Sequence, residues 1–86
     1  MHVESRFDQF EQILKDTLPE APPARLNKTE KLVDLGMNSL LLIQLVVQLE
    51  DAFRISMPDD AMTAETFESV GSLWEALSEV LGRQAQ

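Results

Sequence analysis

Apolar residues recur at steps of three and four in three stretches of the chain, and this spacing predicts three amphipathic helices. In residues 3–18, Val3, Phe7, Phe10, Leu14 and Leu18 share one face, with Ile13 alongside. Asp8, Glu11, Gln12 and Lys15 fall mainly on the other faces. Pro19, Pro22 and Pro23 end this helix, because proline lacks the N–H that a helix interior requires. Residues 39–53 carry the strongest pattern. Projected at about 100° per residue, Leu42, Leu45, Val46, Leu49 and Phe53 form a core seam. Leu40, Gln44, Val47 and Asp51 lie roughly opposite, with Ile43 and Glu50 beside them. Residues 70–81 group Val70, Leu73, Trp74, Leu77, Val80 and Leu81; Ser69 is placed to cap this helix and Gly82 to end it.

Two connections join these helices. Residues 19–38 form a long loop with Leu26, Leu32, Val33 and Leu35 as expected core anchors and a helical turn near Thr29 to Val33. Residues 54–69 are anchored by Ile55, Met57-Pro58 and Phe67, with a short helix expected within Asp60 to Phe67. Asp59 and Asp60 follow Pro58 and read as a turn and helix start, not as a catalytic carboxylate pair. The expected fold is all-α: a small four-helix bundle of three main helices and one short helix, with a long loop between the first two. There is no repeat or low-complexity tract, so residues 1–86 are expected to form one domain.

Composition narrows the chemistry. The formal charge is −8, from seven basic and fifteen acidic side chains, which disfavours nucleic acid as a partner. There is no Cys, and the only His is His2, near the terminus. A thiol nucleophile, a thiolate zinc site and a Ser-His-Asp triad are thereby disfavoured, and no credible general base exists for an enzyme. No apolar run reaches the roughly 18 to 20 residues that span a bilayer, and no signal peptide is visible, so a cytoplasmic protein without membrane partners is expected.

The informative segment is Asp34-Leu35-Gly36-Met37-Asn38-Ser39-Leu40, which joins the long loop to the second helix. Gly36 permits backbone conformations that other residues resist. Asn38 is a good N-cap, which puts Ser39 at the first helical position beside unpaired N–H groups. An anion on that hydroxyl would lie at the positive end of the helix dipole. An Asn-Ser pair alone would be only a cap. Likewise, the apolar residues on the outward face of the helix are either scattered exposed side chains or a docking stripe.

The surroundings add a resemblance. Gly36-Met37-Asn38-Ser39-Leu40 resembles the G-x-[D/N]-S-[L/M] signature of acyl and peptidyl carrier proteins, preceded by Asp34-Leu35-Gly36 as the family's D-x-G. Leu49-Glu50-Asp51-Ala52-Phe53 resembles its L-E-x-x-F, and Ile55-Ser56-Met57-Pro58 its I-x-[I/L]-P. Phe67-Glu68-Ser69-Val70 with Leu73 resembles its F-x-T-V-x-x-L. The likeness runs over about residues 3 to 81. It implies that a phosphopantetheinyl transferase, with Mg²⁺ and coenzyme A, attaches 4′-phosphopantetheine to Ser39. The arm's thiol would then hold an acyl or aminoacyl thioester. The chain itself would be no enzyme.

The resemblance also makes the helix after Ser39 the recognition surface. Leu40, Ile43, Gln44, Val47 and Asp51, with Met37 and Asn38 flanking the attachment point, would meet a loading ligase, acyltransferases or condensing enzymes. Fatty-acid carriers tend to have Asp before the Ser and acids on the first turns of this helix. Here Asn38, Leu41 and Gln44 stand instead, and no charge occurs from Met37 to Leu49, so docking should lean on apolar contact. Together with Thr63-Ala64-Glu65-Thr66-Phe67, this pattern is similar to discrete carriers of polyketide or nonribosomal peptide pathways, and a monomer is expected. Fatty-acid synthesis and D-alanine transfer are alternative carrier roles. A different class of protein, an unmodified helical adaptor, would use the same stripe with Ser39 serving only as a cap.

Overall fold

The computed structural model describes residues 6–20 and 24–84, so Val3, His2, Pro22 and Pro23 lie outside the described residues. Three α-helices and two single turns of 3₁₀ helix follow in order: α1 (Arg6–Thr17), η1 (Val33–Leu35), α2 (Ser39–Phe53), η2 (Asp59–Ala61) and α3 (Val70–Gln84). Among the described residues the only strand-like pairing is an isolated bridge between Lys31 and Ser69. The chain is all-α, with α1 packed against α2. The expected short fourth element appears as η2 followed by turns, in which Phe67 N–H donates to the Thr63 carbonyl and Glu68 N–H to that of Glu65.

One core joins all the elements. Phe10 and Leu14 from α1, Leu45 and Leu49 from α2, and Val70, Leu73 and Leu77 from α3 are fully buried. Leu26, Leu32 and Leu35 of the long loop pack into the same core, as do Ile55 and Met57 after α2. The loop is thus part of the hydrophobic interior, as its apolar anchors predict. At its edge, Phe7, Phe10 and Trp74 form an aromatic cluster, with the Phe7 and Trp74 rings edge to face at 5.2 Å between centroids.

Backbone hydrogen bonds also hold the loop. Leu32 N–H donates to the Glu68 carbonyl (3.1 Å), Val70 N–H to that of Glu30 (3.0 Å) and Gly71 N–H to that of Lys28 (2.8 Å). This stitches the loop to the start of α3. A Cβ on Gly71 would sit 2.9 Å from the Lys28 carbonyl oxygen, so only glycine allows this approach.

Four sequence expectations are corrected. Val33 is not a core anchor; it is 68% exposed, because η1 turns its side chain outward while its neighbours Leu32 and Leu35 point in. The helical turn lies at Val33–Leu35 and not at Thr29 to Val33; a separate turn precedes it, in which Glu30 N–H donates to the Asn27 carbonyl (3.0 Å), and Lys31 between the two pairs with Ser69. Glu11 is not on a solvated face; it is only 7% exposed, and its carboxylate accepts the backbone N–H of Leu26. Gly82 does not end α3, which continues to Gln84. There the Gln84 side-chain amide accepts the Ser56 N–H and donates to the Ser56 carbonyl, both at 2.9 Å, which holds the last turn in place. Ser69 does cap α3: its hydroxyl oxygen accepts the N–H of Ser72.

Candidate functional site

The junction between η1 and α2 is a tightly bonded turn. Gly36 has φ 96°, in the left-handed region, and its N–H donates to the Val33 carbonyl. A Cβ there would also meet Pro19 Cγ at 2.9 Å, so glycine is required twice over. Pro19 is held there because Glu20 N–H donates to the Leu35 carbonyl (3.3 Å). Met37 N–H returns to the Leu32 carbonyl (3.0 Å), which brings the chain back over the core.

Asn38 then takes an extended conformation as the N-cap of α2. Its side-chain oxygen accepts the N–H of Leu41 at 2.9 Å, and its carbonyl accepts that of Leu42 at 2.8 Å. Ser39 is the first helical residue, and it is exposed. Among the described residues nothing bonds its hydroxyl, which leaves the oxygen free to be substituted. The N–H groups of the first helical turn have no intrahelical acceptor, and α2 carries no acid in that turn. A phosphodiester on Ser39 Oγ would therefore meet the positive end of the helix and no like charge on the turn that bears it. These residues fit a covalently attached phosphopantetheine group.

The other candidate residues fall on one side of α2. Leu40, Ile43 and Val47 are 64%, 63% and 57% exposed, and Gln44 and Asp51 are exposed with them. Asn38 is exposed beside Ser39, whereas Met37 is half-buried and packs against the core. The seam opposite holds Leu45, Val46 and Leu49 in the interior, with Leu42 and Phe53 half-buried at its margin. Fully burying one aliphatic side chain is worth about 1.5–3 kcal/mol, so three left in water are not explained by the stability of the fold.

Sequence reasoning overlooked a groove beside this turn. It has a volume of about 430 Å³ and is lined by Lys31, Val33, Ala64, Glu65, Phe67 and Glu68. The turn that throws Val33 outward creates one of its walls, and nothing in the periodicity of the loop signals that turn. Among the described residues, no group of three or more His, Cys, Asp and Glu residues is placed to hold a metal ion. No helix there is long and apolar enough to cross a membrane.

Comparison with known proteins agrees with this geometry. A family model described as the phosphopantetheine attachment site matches residues 8–77. The acyl carrier protein of Clostridium perfringens is 30% identical over 73 residues, 85% of this chain and 93% of the relative. That of Sulfurovum sp. is 34% identical over 65 residues, 76% of this chain and 84% of the relative. Among solved structures, the Bradyrhizobium japonicum glycine:[carrier protein] ligase complexed with glycylated carrier protein contains a chain that matches with TM-score 0.72 and 26% identity, over 85% of this chain and 99% of that one. A second complex, of that ligase with its cognate carrier protein and an analogue of glycyl adenylate, gives TM-score 0.75 and 25% identity, over 88% and 99%. Proteins of this kind are non-catalytic carriers with a covalent 4′-phosphopantetheine. With the matching family model spanning most of its length, the chain belongs to the phosphopantetheine-attachment family of acyl carrier proteins.

Proposed function

We propose that Ser39 is the attachment point and that residues 1–86 act as one discrete carrier domain. The observation that carries this reading is the free Ser39 hydroxyl at the N-terminus of α2, held on the Gly36–Asn38 turn. In the attachment step, Ser39 Oγ loses its proton and bonds to the phosphorus of the pantetheinyl half of coenzyme A, and the nucleotide half departs. A phosphopantetheinyl transferase with Mg²⁺ supplies the catalysis. When bound, the arm supplies a thiol that carries cargo as a thioester. The protein's part is to hold the tether so that cargo meets a docked enzyme at high effective concentration.

The exposed side chains of Leu40, Ile43 and Val47, flanked by Asn38, Gln44 and Asp51, form the docking face, with Met37 setting its base from the core side. Its partners are an acyl- or aminoacyl-loading ligase, acyltransferases and condensing enzymes of a polyketide or nonribosomal peptide pathway. The similarity to a glycylated carrier supports an aminoacyl cargo. The absence of acid on the first turn of α2 supports apolar rather than charge-steered docking.

The test is intact mass after incubation with coenzyme A, Mg²⁺ and a promiscuous phosphopantetheinyl transferase. The parent should gain one phosphopantetheine and a folded Ser39→Ala variant none. Ile43→Glu should keep the fold yet slow the loading of the arm by the cognate ligase. A parent that gains nothing while folded, with several transferases tried, would overturn the assignment.

A further inference from the structure

The chain has two asparagines, Asn27 and Asn38, and their neighbours differ. Asn38 precedes Ser39, whose small side chain leaves its backbone nitrogen open, whereas Asn27 precedes the longer Lys28. Asparagine is a labile residue, because its side-chain amide can be attacked by the backbone nitrogen of the residue that follows. At Asn38 both reacting groups are accessible, since Asn38 and Ser39 are exposed. The Ser39 N–H has no acceptor among the described residues, so a solvent base can take its proton. The nitrogen anion so formed lies at the positive end of α2, which favours negative charge.

The folded turn opposes the reaction. Attack closes a nearly planar succinimide ring, which needs Ser39 N and Asn38 Cβ eclipsed about the Asn38 Cα–C bond. Asn38 has ψ 178°. With the substituents on Cα about 120° apart in projection, this ψ holds the two atoms about 60° from eclipse. Asn38 is also pinned against the rotation at two points. Its side-chain oxygen accepts the Leu41 N–H (2.9 Å), and its carbonyl accepts the Leu42 N–H (2.8 Å). Turning ψ swings the carbonyl away from Leu42, and attack at Cγ draws the side-chain oxygen away from Leu41. Ring closure therefore breaks both hydrogen bonds that start α2.

From this we infer that Asn38 is a site of spontaneous deamidation, gated by the first turn of α2. While the turn is formed, the amide persists. When the turn opens, the Ser39 amide proton passes to a solvent base and Ser39 N bonds to Asn38 Cγ. The Cγ–Nδ2 bond breaks and ammonia leaves. Water then opens the ring. Addition at Cγ gives an aspartyl residue, and addition at the backbone carbonyl carbon gives an isoaspartyl residue, whose main chain runs through Cβ and Cγ. The two products differ in effect. The aspartyl side chain still caps Leu41 and adds charge that suits a helix N-terminus. The isoaspartyl residue lengthens the main chain just ahead of Ser39, so the cap on Leu41 and the turn from Gly36 no longer fit together. Such a chain is impaired in accepting the arm, a consequence that rests on Ser39 being the attachment point.

The experiment ages full-length protein in mildly alkaline buffer, folded and in urea. Digestion and mass spectrometry locate the amide-to-acid mass gain, and methylation by protein isoaspartyl methyltransferase counts the isoaspartyl product. In urea, Asn38 should convert faster than Asn27. In the folded protein, conversion of Asn38 should be about thirtyfold slower, the factor that two hydrogen bonds of ordinary net strength amount to. Gly36→Ala strains the turn that leads into Asn38 and should speed the folded protein's conversion severalfold, whereas Gly71→Ala, which clashes with Lys28, should not. Should Gly36→Ala fail to fold, the folded-to-urea ratio of the parent decides alone. Equal rates folded and in urea would refute the gate, and conversion of Asn38 no faster than Asn27 in urea would refute the site. Aged protein is then given coenzyme A, Mg²⁺ and the transferase. The isoaspartyl species should take up the arm more slowly than the unaged chain, and equal uptake would overturn the link to attachment. No uptake by the unaged chain would overturn the carrier reading and leave the deamidation result standing.

Discussion

Glu11 offers a stringent test of how the long loop is held. Glu11 lies midway along α1 and is only 7% exposed; its carboxylate accepts the backbone N–H of Leu26, itself buried. Arg25 approaches the same carboxylate at 3.6 Å but spends its shorter contact, 2.7 Å, on Asp8. Glu11→Ala removes the acceptor and leaves the Leu26 N–H without a partner. An orphaned buried donor costs about 1–3 kcal/mol. The Arg25 pair adds little, because that side chain is 67% exposed and such pairs contribute about 0.2–1 kcal/mol. Glu11→Gln keeps an acceptor oxygen while removing the charge, so it should lose less than about 1 kcal/mol. For a domain of this size, each kcal/mol lowers Tm by about 4–8 °C, so the alanine variant should melt roughly 5–20 °C lower. The assay is urea and thermal unfolding, followed by far-UV circular dichroism and by fluorescence of Trp74, which packs against Phe7 and Phe10 on α1. Equal losses for Glu11→Ala and Glu11→Gln would show that charge, not the backbone acceptor, holds the loop. A loss below about 0.5 kcal/mol for Glu11→Ala would refute the clamp altogether.

Four further substitutions, in two pairs, probe the turn and the glycines. Asn38→Ala should cost about 1 kcal/mol in urea unfolding by removing the cap on Leu41 N–H, whereas Asn38→Asp should restore or exceed parental stability, since an anion suits a helix N-terminus. Gly71→Ala should cost about 1–3 kcal/mol through the clash with Lys28, while Gly82→Ala, with open space around it, should gain about 0.5–1 kcal/mol in the same measurement.

Helical periodicity made α1, α2 and α3 legible, because each buries one continuous stripe against a shared core. The sidedness of α2 was equally legible: Leu45 and Leu49 went inside and Leu40, Ile43 and Val47 stayed out. At Ser39 the local residues made legible only the geometry, a left-handed glycine, an Asn cap and a helix start; the reading of Ser39 as an attachment point came from the resemblance of Gly36 to Leu40 to a carrier signature. What escaped depends on contacts distant in sequence. The burial of Glu11 requires Leu26, fifteen residues away, and the persistence of α3 past Gly82 requires Ser56, twenty-eight residues from Gln84. The outward side chain of Val33 follows from its place at the start of the 3₁₀ turn, which no 3.6-residue periodicity encodes.

The pairing of Gln84 with Ser56 has a mechanical consequence. One side-chain amide gives and receives hydrogen bonds to a single backbone peptide position, much as a neighbouring strand would. Ser56 lies between Ile55 and Met57, both buried, and Met57 N–H is further held by the Glu50 carboxylate at 2.8 Å. Tension on the chain beyond α3 is therefore not borne by the last helical turn alone. It is divided between that turn and the segment after α2, and it reaches the helix that starts at Ser39 through Glu50. A linker or fusion joined after Gln84 pulls on the clasp before it pulls on the core.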